Sequence, residues 1–87
     1  TVSTIENFQM IPNPASRDLT LSFNAPQGES VVQLTDLAGK KVLEKKFSTT
    51  NGENKLLLSL EDFDNGYYIL NLSCGNSMVK DRLVIQH

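Results

Sequence analysis

The chain is poor in the residues on which most catalytic and metal sites depend. Its 87 residues include one cysteine, one histidine and no tryptophan. Serine and cysteine triads need a histidine that a carboxylate can orient, and the single imidazole belongs to the last residue, His87. A zinc site takes several cysteine or histidine ligands. We therefore predict no catalytic residue, no metal site and no cofactor in this chain.

Two remaining features have both a functional and a structural interpretation. Cys74 has no partner for an internal disulfide, and we expect a buried, small apolar residue. A reactive thiol there would need a neighbouring base or metal. Glu61, Asp62 and Asp64 carry the oxygen ligands that calcium takes, but their spacing does not match an EF-hand loop. A solvated acidic loop is the preferred interpretation, and calcium binding is the alternative.

Strong charge of one sign and long apolar runs are also missing. The net charge of −2 gives no attraction to nucleic acid or to an acidic membrane. No apolar run is long enough to cross a bilayer, so we expect no direct membrane insertion. The sequence has no charged stretch followed by an apolar one, the pattern that marks a signal peptide. Because the chain begins at Thr1, we expect it to be a piece of a longer protein.

What the chain does contain is a series of short runs in which apolar and polar residues alternate. Leu19, Leu21 and Phe23 form one such run, and alternation of this kind is typical of strands with one buried face. Turn signals separate the runs, and no window has a helical period. The sequence therefore predicts an all-β fold, a seven-stranded antiparallel β-sandwich that is Ig-like with Greek-key connections. It would span residues 8–87, with residues 1–7 as a polar linker or a frayed lead-in.

Local chemistry specifies one hairpin in detail. The Asp36 side chain can accept hydrogen bonds from backbone amides ahead of it, and Gly39 suits a position with positive φ. The adjacent apolar residues Val42 and Leu43 predict a bulge in the strand that follows. Four lysines along this strand predict a charged face that protects a sheet edge. They are Lys40, Lys41, Lys45 and Lys46.

Three further segments have predicted structural roles. Pro12-Asn13-Pro14 predicts a stiff extended crossover, because two prolines remove two amide donors. Phe63 is expected to fold over the end of the core. Tyr68 is expected in the core, with its hydroxyl bonded to a nearby backbone group as in a tyrosine corner. Since Tyr67 and Tyr68 are adjacent on a strand, at least one points inward, which leaves stacking on a sugar as the minor alternative.

The chain carries four motifs in a set order. They are Pro12-Asn13-Pro14 followed by Leu19 and Leu21; Asp36-Leu37-Ala38-Gly39-Lys40 with Val42; Leu60, Phe63, Gly66 and Tyr68; and Lys80 with Arg82-Leu83-Val84-Ile85-Gln86. Together they resemble the C-terminal sorting domain of the type IX secretion system, the Por secretion system of Bacteroidetes, in its type A form. The resemblance covers residues 8–86. Ser16-Arg17-Asp18 fills a region where the family often has glycine, and Arg82 stands where lysine is usual.

The resemblance implies a substrate of secretion machinery. Such domains end secreted cargo proteins such as proteases, adhesins and glycoside hydrolases. They fold in the periplasm, are recognised by the outer-membrane translocon, and are then removed by a surface sortase, a cysteine protease that attaches the cargo to the cell surface. The implied location is the periplasm in transit, then the cell surface or the medium. The cleaved bond lies upstream of the sandwich and, if it is in this chain, within residues 1–7.

The last predicted strand is the candidate recognition element. At a sheet edge, its free amides and carbonyls can accept a partner strand. The hypothesis is that the translocon reads five of its residues, Lys80, Arg82, Leu83, Val84 and Ile85. The alternative is that Leu83 and Ile85 are only core residues and Lys80 and Arg82 only solvated. Two competing functions stay open, a carbohydrate-binding or adhesive accessory module and a passive spacer of fibronectin type III kind.

Overall fold

The computed structural model describes residues 4–13 and 17–87, and these form seven β-strands without a helix. Accordingly, none of the described residues forms a helix long and apolar enough to span a membrane. The all-β prediction is confirmed. The strands are β1 (Glu6–Ile11), β2 (Asp18–Ala25), β3 (Gly28–Asp36), β4 (Lys41–Thr49), β5 (Gly52–Ser59), β6 (Gly66–Cys74) and β7 (Ser77–Ile85).

The strands form two antiparallel sheets that pack as a sandwich. One sheet has the order β1-β2-β5 and the other β4-β3-β6-β7. Neighbours such as β2 and β5, or β3 and β6, are far apart in sequence, because the chain crosses between the sheets after β2, β4 and β5. These crossings give the Greek-key connections of an Ig-like sandwich. They also leave β4 and β7 as the outer strands of the four-stranded sheet.

Alternating side chains of both sheets fill the space between them. The period-two runs predict this face correctly, since most of their inward-facing apolar members are almost fully shielded from water. Burial of one such side chain stabilises a fold by roughly 1.5–3 kcal/mol. The best-buried members are Leu19, Leu21, Phe23, Val32, Leu34, Leu60, Leu70, Leu72, Leu83 and Ile85. Cys74 is buried beside them at 3% exposure, as expected.

Two strands begin earlier than the apolar pattern indicates. β1 starts at Glu6, and the preceding Ile5 is buried at 9% exposure, whereas the predicted sandwich starts at residue 8. The pairing of β1 with β2 is irregular between Glu6 and Gln9, and Asn7 between them has a φ of 54°. Such an irregularity breaks the alternation by which a strand is recognised. β5 likewise starts at Gly52, where backbone pairing with β2 extends through polar residues.

The predicted bulge lies in β4. The pairing of β3 with β4 passes from Leu34↔Leu43 to Thr35↔Lys41, so that Val42 is the extra residue. β4 is an outer strand, as the lysines predict, and the side chains of Lys45 and Lys46 are exposed on it. A bulge and a row of ammonium groups both discourage the pairing of another strand with this edge.

Candidate functional site

The motif segments that are scattered in the sequence meet at one end of the sandwich. β3 ends with Asp36 paired to Tyr68, and β7 ends with Ile85 paired to Gly66. β1 ends beside the start of β2. We call this the motif end, and define it as residues 11–13, 36–40, 60–68 and 82–87. Pro14 lies outside the described residues, as do Ser16 and residues 1–3 of the predicted linker.

The hairpin at the motif end has the predicted turn geometry. Asp36 Oδ1 accepts hydrogen bonds from the backbone N–H groups of Ala38 at 3.0 Å and Lys40 at 2.9 Å. The Gly39 N–H donates to the Asp36 carbonyl at 3.0 Å. Gly39 has a φ of 88°, a left-handed value that costs glycine little. The motif residues Asp36 and Gly39 therefore form the turn, and the exposed Lys40 ends it.

Tyr68 forms the predicted tyrosine corner. Its hydroxyl donates to the Asp64 carbonyl at 2.7 Å, and the side chain is only 7% exposed. Burial raises the pKa of the Tyr68 phenol, and the carboxylates of Asp64 and Asp36 raise it further. The phenol is thereby held in the neutral form that can donate. The hydrogen bond of the corner holds loop 60–66 against the first residues of strand β6, which begins at Gly66.

Phe63 closes the end of the core as predicted. It is half-buried, packs against the core and lies with its ring centroid 6.3 Å from that of Tyr68. The acidic residues around it, Glu61, Asp62 and Asp64, are exposed. Across the described residues, no three cysteine, histidine or acidic side chains gather as a possible metal site.

The last residue of the chain lies against this same loop. The His87 N–H donates to Asn65 Oδ1 at 2.9 Å, and His87 Nε2 lies 2.6 Å from the Phe63 carbonyl oxygen. The loop and the end of the chain therefore form one surface with the hairpin turn. A shallow groove of about 440 Å³ runs between the turn and the loop. Its lining mixes carboxylates and ammonium groups, and consists of Asp36, Lys40, Lys41, Val42, Asp62, Phe63, Asp64 and Tyr68.

The five residues of the recognition hypothesis do not share one surface. Leu83 and Ile85, at 0% and 1% exposure, lie in the core, so the folded domain does not present them to a partner. Arg82 is exposed and Val84 half-buried on the outer face of β7. Lys80 is exposed too, but it pairs with Asn71 near the middle of the sheet and lies away from the motif end.

Asn13 has a role that sequence reasoning did not find. Its Nδ2 donates to the Arg82 carbonyl at 3.3 Å, and its Oδ1 accepts from the Val84 N–H at 3.2 Å. We call this pair of hydrogen bonds the Asn13 clip. Both backbone groups belong to the outer edge of β7, where a neighbouring strand would otherwise bond. The Arg82 N–H is also occupied, since it donates to Asp81 Oδ1 at 2.8 Å.

The clip could not be read from sequence because the partners are 69 and 71 residues apart. The one available signal is chemical, since an asparagine amide carries the same donor and acceptor as a peptide group. Pro12, next to it, is exposed and follows the end of β1.

A search of curated proteins found no match. The family profile of the secretion system C-terminal sorting domain matches residues 9–86, nearly the whole chain. The fold and the match together define a non-enzymatic signal domain of exported proteins. The chain belongs to the family of C-terminal sorting domains of the type IX secretion system, which confirms the resemblance. The type A form stays a prediction.

Membership of this family has direct consequences for the role of the chain. It implies interaction with the secretion system and attachment to a cargo. It also implies export to the cell surface or secretion. The domain itself is the signal in that process, and the family is not one of enzymes.

Proposed function

We propose that residues 8–87 direct an upstream cargo across the outer membrane by binding the type IX translocon through the motif end. The observation that carries the proposal is the convergence of four motifs on one end of the fold. Turn, loop and strand residues far apart in sequence form a continuous surface there. A scaffold role alone would not require the motifs to meet at one end.

Arg82 and Val84 are the proposed direct contacts, and Lys80 extends the same outer face of β7. Leu83 and Ile85 support recognition indirectly, because their burial fixes the position of the strand. Asp36, Gly39, Lys40, Gly66 and Tyr68 shape the adjoining turn and loop. In this proposal the buried residues fix the shape of the surface, and the exposed residues contact the translocon.

Cargo and recognition surface lie at opposite ends of the sandwich. The Ile5 N–H donates to Ser77 Oγ at 3.0 Å, and Ser77 begins β7 at the end remote from the motifs. A polypeptide that precedes residue 4 therefore leaves from that remote end. The longest dimension of the domain is 38 Å, which gives a translocon access to the motif end while a cargo domain occupies the other.

The same geometry bears on removal by the sortase. Ile5 is buried and β1 begins at Glu6. Cleavage between residues 5 and 7 would detach part of the sandwich, whereas cleavage before Ile5 leaves it intact. We therefore place the sortase cut, with transfer of the cargo to the cell surface, on the N-terminal side of Ile5.

The test is surface delivery of a reporter. Residues 1–87 are fused to a periplasm-targeted fluorescent protein in a bacterium with a type IX system and in its translocon-deficient mutant. We expect surface fluorescence in the first strain only. The double change Lys80→Glu with Arg82→Glu should reduce delivery at least tenfold, whereas Lys45→Glu with Lys46→Glu on β4 should not. Equal delivery by both variants would refute recognition through β7.

The accessory-module alternative makes a different structural demand. Glycan binding by stacking needs exposed aromatic faces. Tyr67 is exposed at 55%, but Tyr68 beside it is bound in its corner. The remaining aromatic residues, all phenylalanines, are buried or half-buried against the core. No observation favours glycan binding over the sorting function.

A further inference from the structure

The outer edge of β7 is closed by side chains instead of by a strand. On its inner side β7 pairs with β6 from Ser77 to Ile85. In an antiparallel strand, the N–H and C=O of one residue point to the same side and those of the next residue to the other side. Because the Asn13 clip engages Arg82 and Val84, the backbone of Lys80 faces outward as well.

The Asn13 amide occupies the position of one residue of a parallel neighbouring strand, because the N–H and C=O of a single residue point to the same side. It supplies a donor to Arg82 and an acceptor to Val84, which is the pair that an added strand would supply at this place. We propose that Asn13 is a displaceable cover, and that the translocon binds by adding an extended segment to β7 in place of the clip. This inference rests on the proposed function and names the geometry of its recognition step.

The clip is suited to displacement because it is exposed and lies outside the sheet ladder. Its two distances, 3.2 and 3.3 Å, are at the long end for N–H···O bonds. Asn13 follows β1, whose Phe8 and Met10 pack against the core. Displacing the Asn13 side chain therefore leaves β1 in place, and the fold need not open.

Charge indicates the kind of segment that fits. Beside the clip, the outer face of β7 carries the exposed side chains of Lys80 and Arg82. Opposite charges on directly facing residues of paired strands stabilise the pairing. The incoming segment should therefore carry acidic side chains at alternate positions, those that face Lys80 and Arg82.

The first arm of the test measures the clip itself by amide hydrogen exchange of the purified domain. In Asn13→Ala we expect the Val84 amide to exchange about 3- to 10-fold faster, the effect of losing an ordinary exposed hydrogen bond. The Leu83 amide, which faces β6, should not change. Asn13→Asp keeps the acceptor and should exchange at an intermediate rate. Asn76→Ala, at an exposed turn of the remote end, is the control, and circular dichroism checks folding.

The second arm measures the rate at which the fluorescent fusion reaches the surface. A cover lowers the fraction of molecules that can bind, so Asn13→Ala should raise the initial rate about 3- to 10-fold. Faster Val84 exchange with an unchanged or lower delivery rate would overturn the proposal, because Asn13 would then be neutral or itself recognised. Unchanged exchange would overturn it too. Failure of the unmodified fusion to reach the surface would instead refute the sorting proposal, and the partner with it.

Discussion

Strands β4 and β7 are the two outer strands of the same sheet, and within residues 4–13 and 17–87 each has one side without a neighbouring strand. β4 bears exposed lysines and a bulge at Val42. β7 pairs with β6 from Ser77 to Ile85 without a register shift. Its outer edge is covered by the Asn13 clip and by the side chain of Asp81. Edge strands need such protection, because free backbone groups invite pairing with other chains.

The two edges differ in the sequence separation between the protecting groups and the strand that they protect. The bulge and the lysines of β4 belong to that strand and cannot be removed without changing it. The clip on β7 comes from a residue about 70 positions away, and a rotation of one side chain opens it. The comparison indicates that β4 is permanently closed to pairing, whereas β7 is closed reversibly.

The largest expected effect tests whether β7 also carries more of the core than β4. Leu83 on β7 is fully buried, whereas Leu43 on β4 is half-buried. We expect Leu83→Ala to lower the free energy of unfolding by about 2–5 kcal/mol. Leu43→Ala should cost roughly 1 kcal/mol, since part of its side chain already contacts water. Urea unfolding followed by far-ultraviolet circular dichroism measures both, and equal losses would contradict the asymmetry.

The next effect concerns the tyrosine corner at the start of β6, the strand that pairs with β7. Tyr68→Phe removes the hydrogen bond to Asp64 and should lower the free energy of unfolding by about 1.5 kcal/mol at neutral pH. The raised pKa of Tyr68 adds a pH dependence. Above pH ~10 the unfolded tyrosine loses its proton first, so the unfolded state binds fewer protons and stability falls as the pH rises.

The control for this slope is the exposed neighbour. Tyr67→Phe should keep the alkaline loss of stability, and Tyr68→Phe should weaken it. All other ionisable groups are common to the two variants, so the difference between their slopes reports on the two tyrosines alone. Identical slopes from pH 9 to 11 in urea unfolding would show that the corner does not hold the phenol neutral.

A smaller effect tests the local turn that starts β4. Asp36→Ala removes the acceptor of the Ala38 and Lys40 amides, and should cost about 1 kcal/mol of unfolding free energy. Because the turn is local, the Val84 amide on β7 should exchange at its original rate. Thermal unfolding and hydrogen exchange of the same variant check both statements. An accelerated Val84 amide would show that the two edges are coupled.

Sequence predicts well what near neighbours determine. The Asp36 turn, the Val42 bulge and the Tyr68 corner each depend on residues within a few positions. The buried faces follow from the period of two, since every second side chain of a half-buried strand points inward. The starts of β1 and β5 lie outside the apolar pattern, because an irregularity interrupts the alternation in β1 and backbone pairing continues through polar residues in β5.

The candidate site was predictable in its members but not in its arrangement. The motif residues were found from their order in the chain, whereas their meeting at one end follows from Greek-key crossings. The separation of Leu83 and Ile85 from Arg82 follows from alternation, but the depth of their burial requires the opposite sheet. The Asn13 clip requires the residue that follows β1 to lie against β7 of the other sheet, which no local pattern contains.

The smallest expected effect tests the charged face of β4. Glu44 Oε2 accepts from Gln33 Nε2 at 2.7 Å and lies 3.3 Å from Lys41 Nζ. The hydrogen bond from Gln33, and then the bond and charge of Lys41, lower the pKa of the Glu44 carboxyl. A lowered folded-state pKa contributes stability above the pKa of the unfolded chain, about 4.3, and loses it as the pH falls further.

Glu44→Gln should therefore reduce stability only slightly at pH 7, because the pair is exposed and solvent screens it. The difference from the unmodified chain should fade as the pH drops below the unfolded-state value of about 4.3 and through the lowered pKa of Glu44. Glu53→Gln on β5, where the carboxylate lies 3.8 Å from Lys55, is the matched control for the removal of an exposed, paired carboxylate. If the two variants give the same acid profile, the Gln33–Glu44–Lys41 group adds nothing to the fold, and the lysines of β4 act only by repelling other strands.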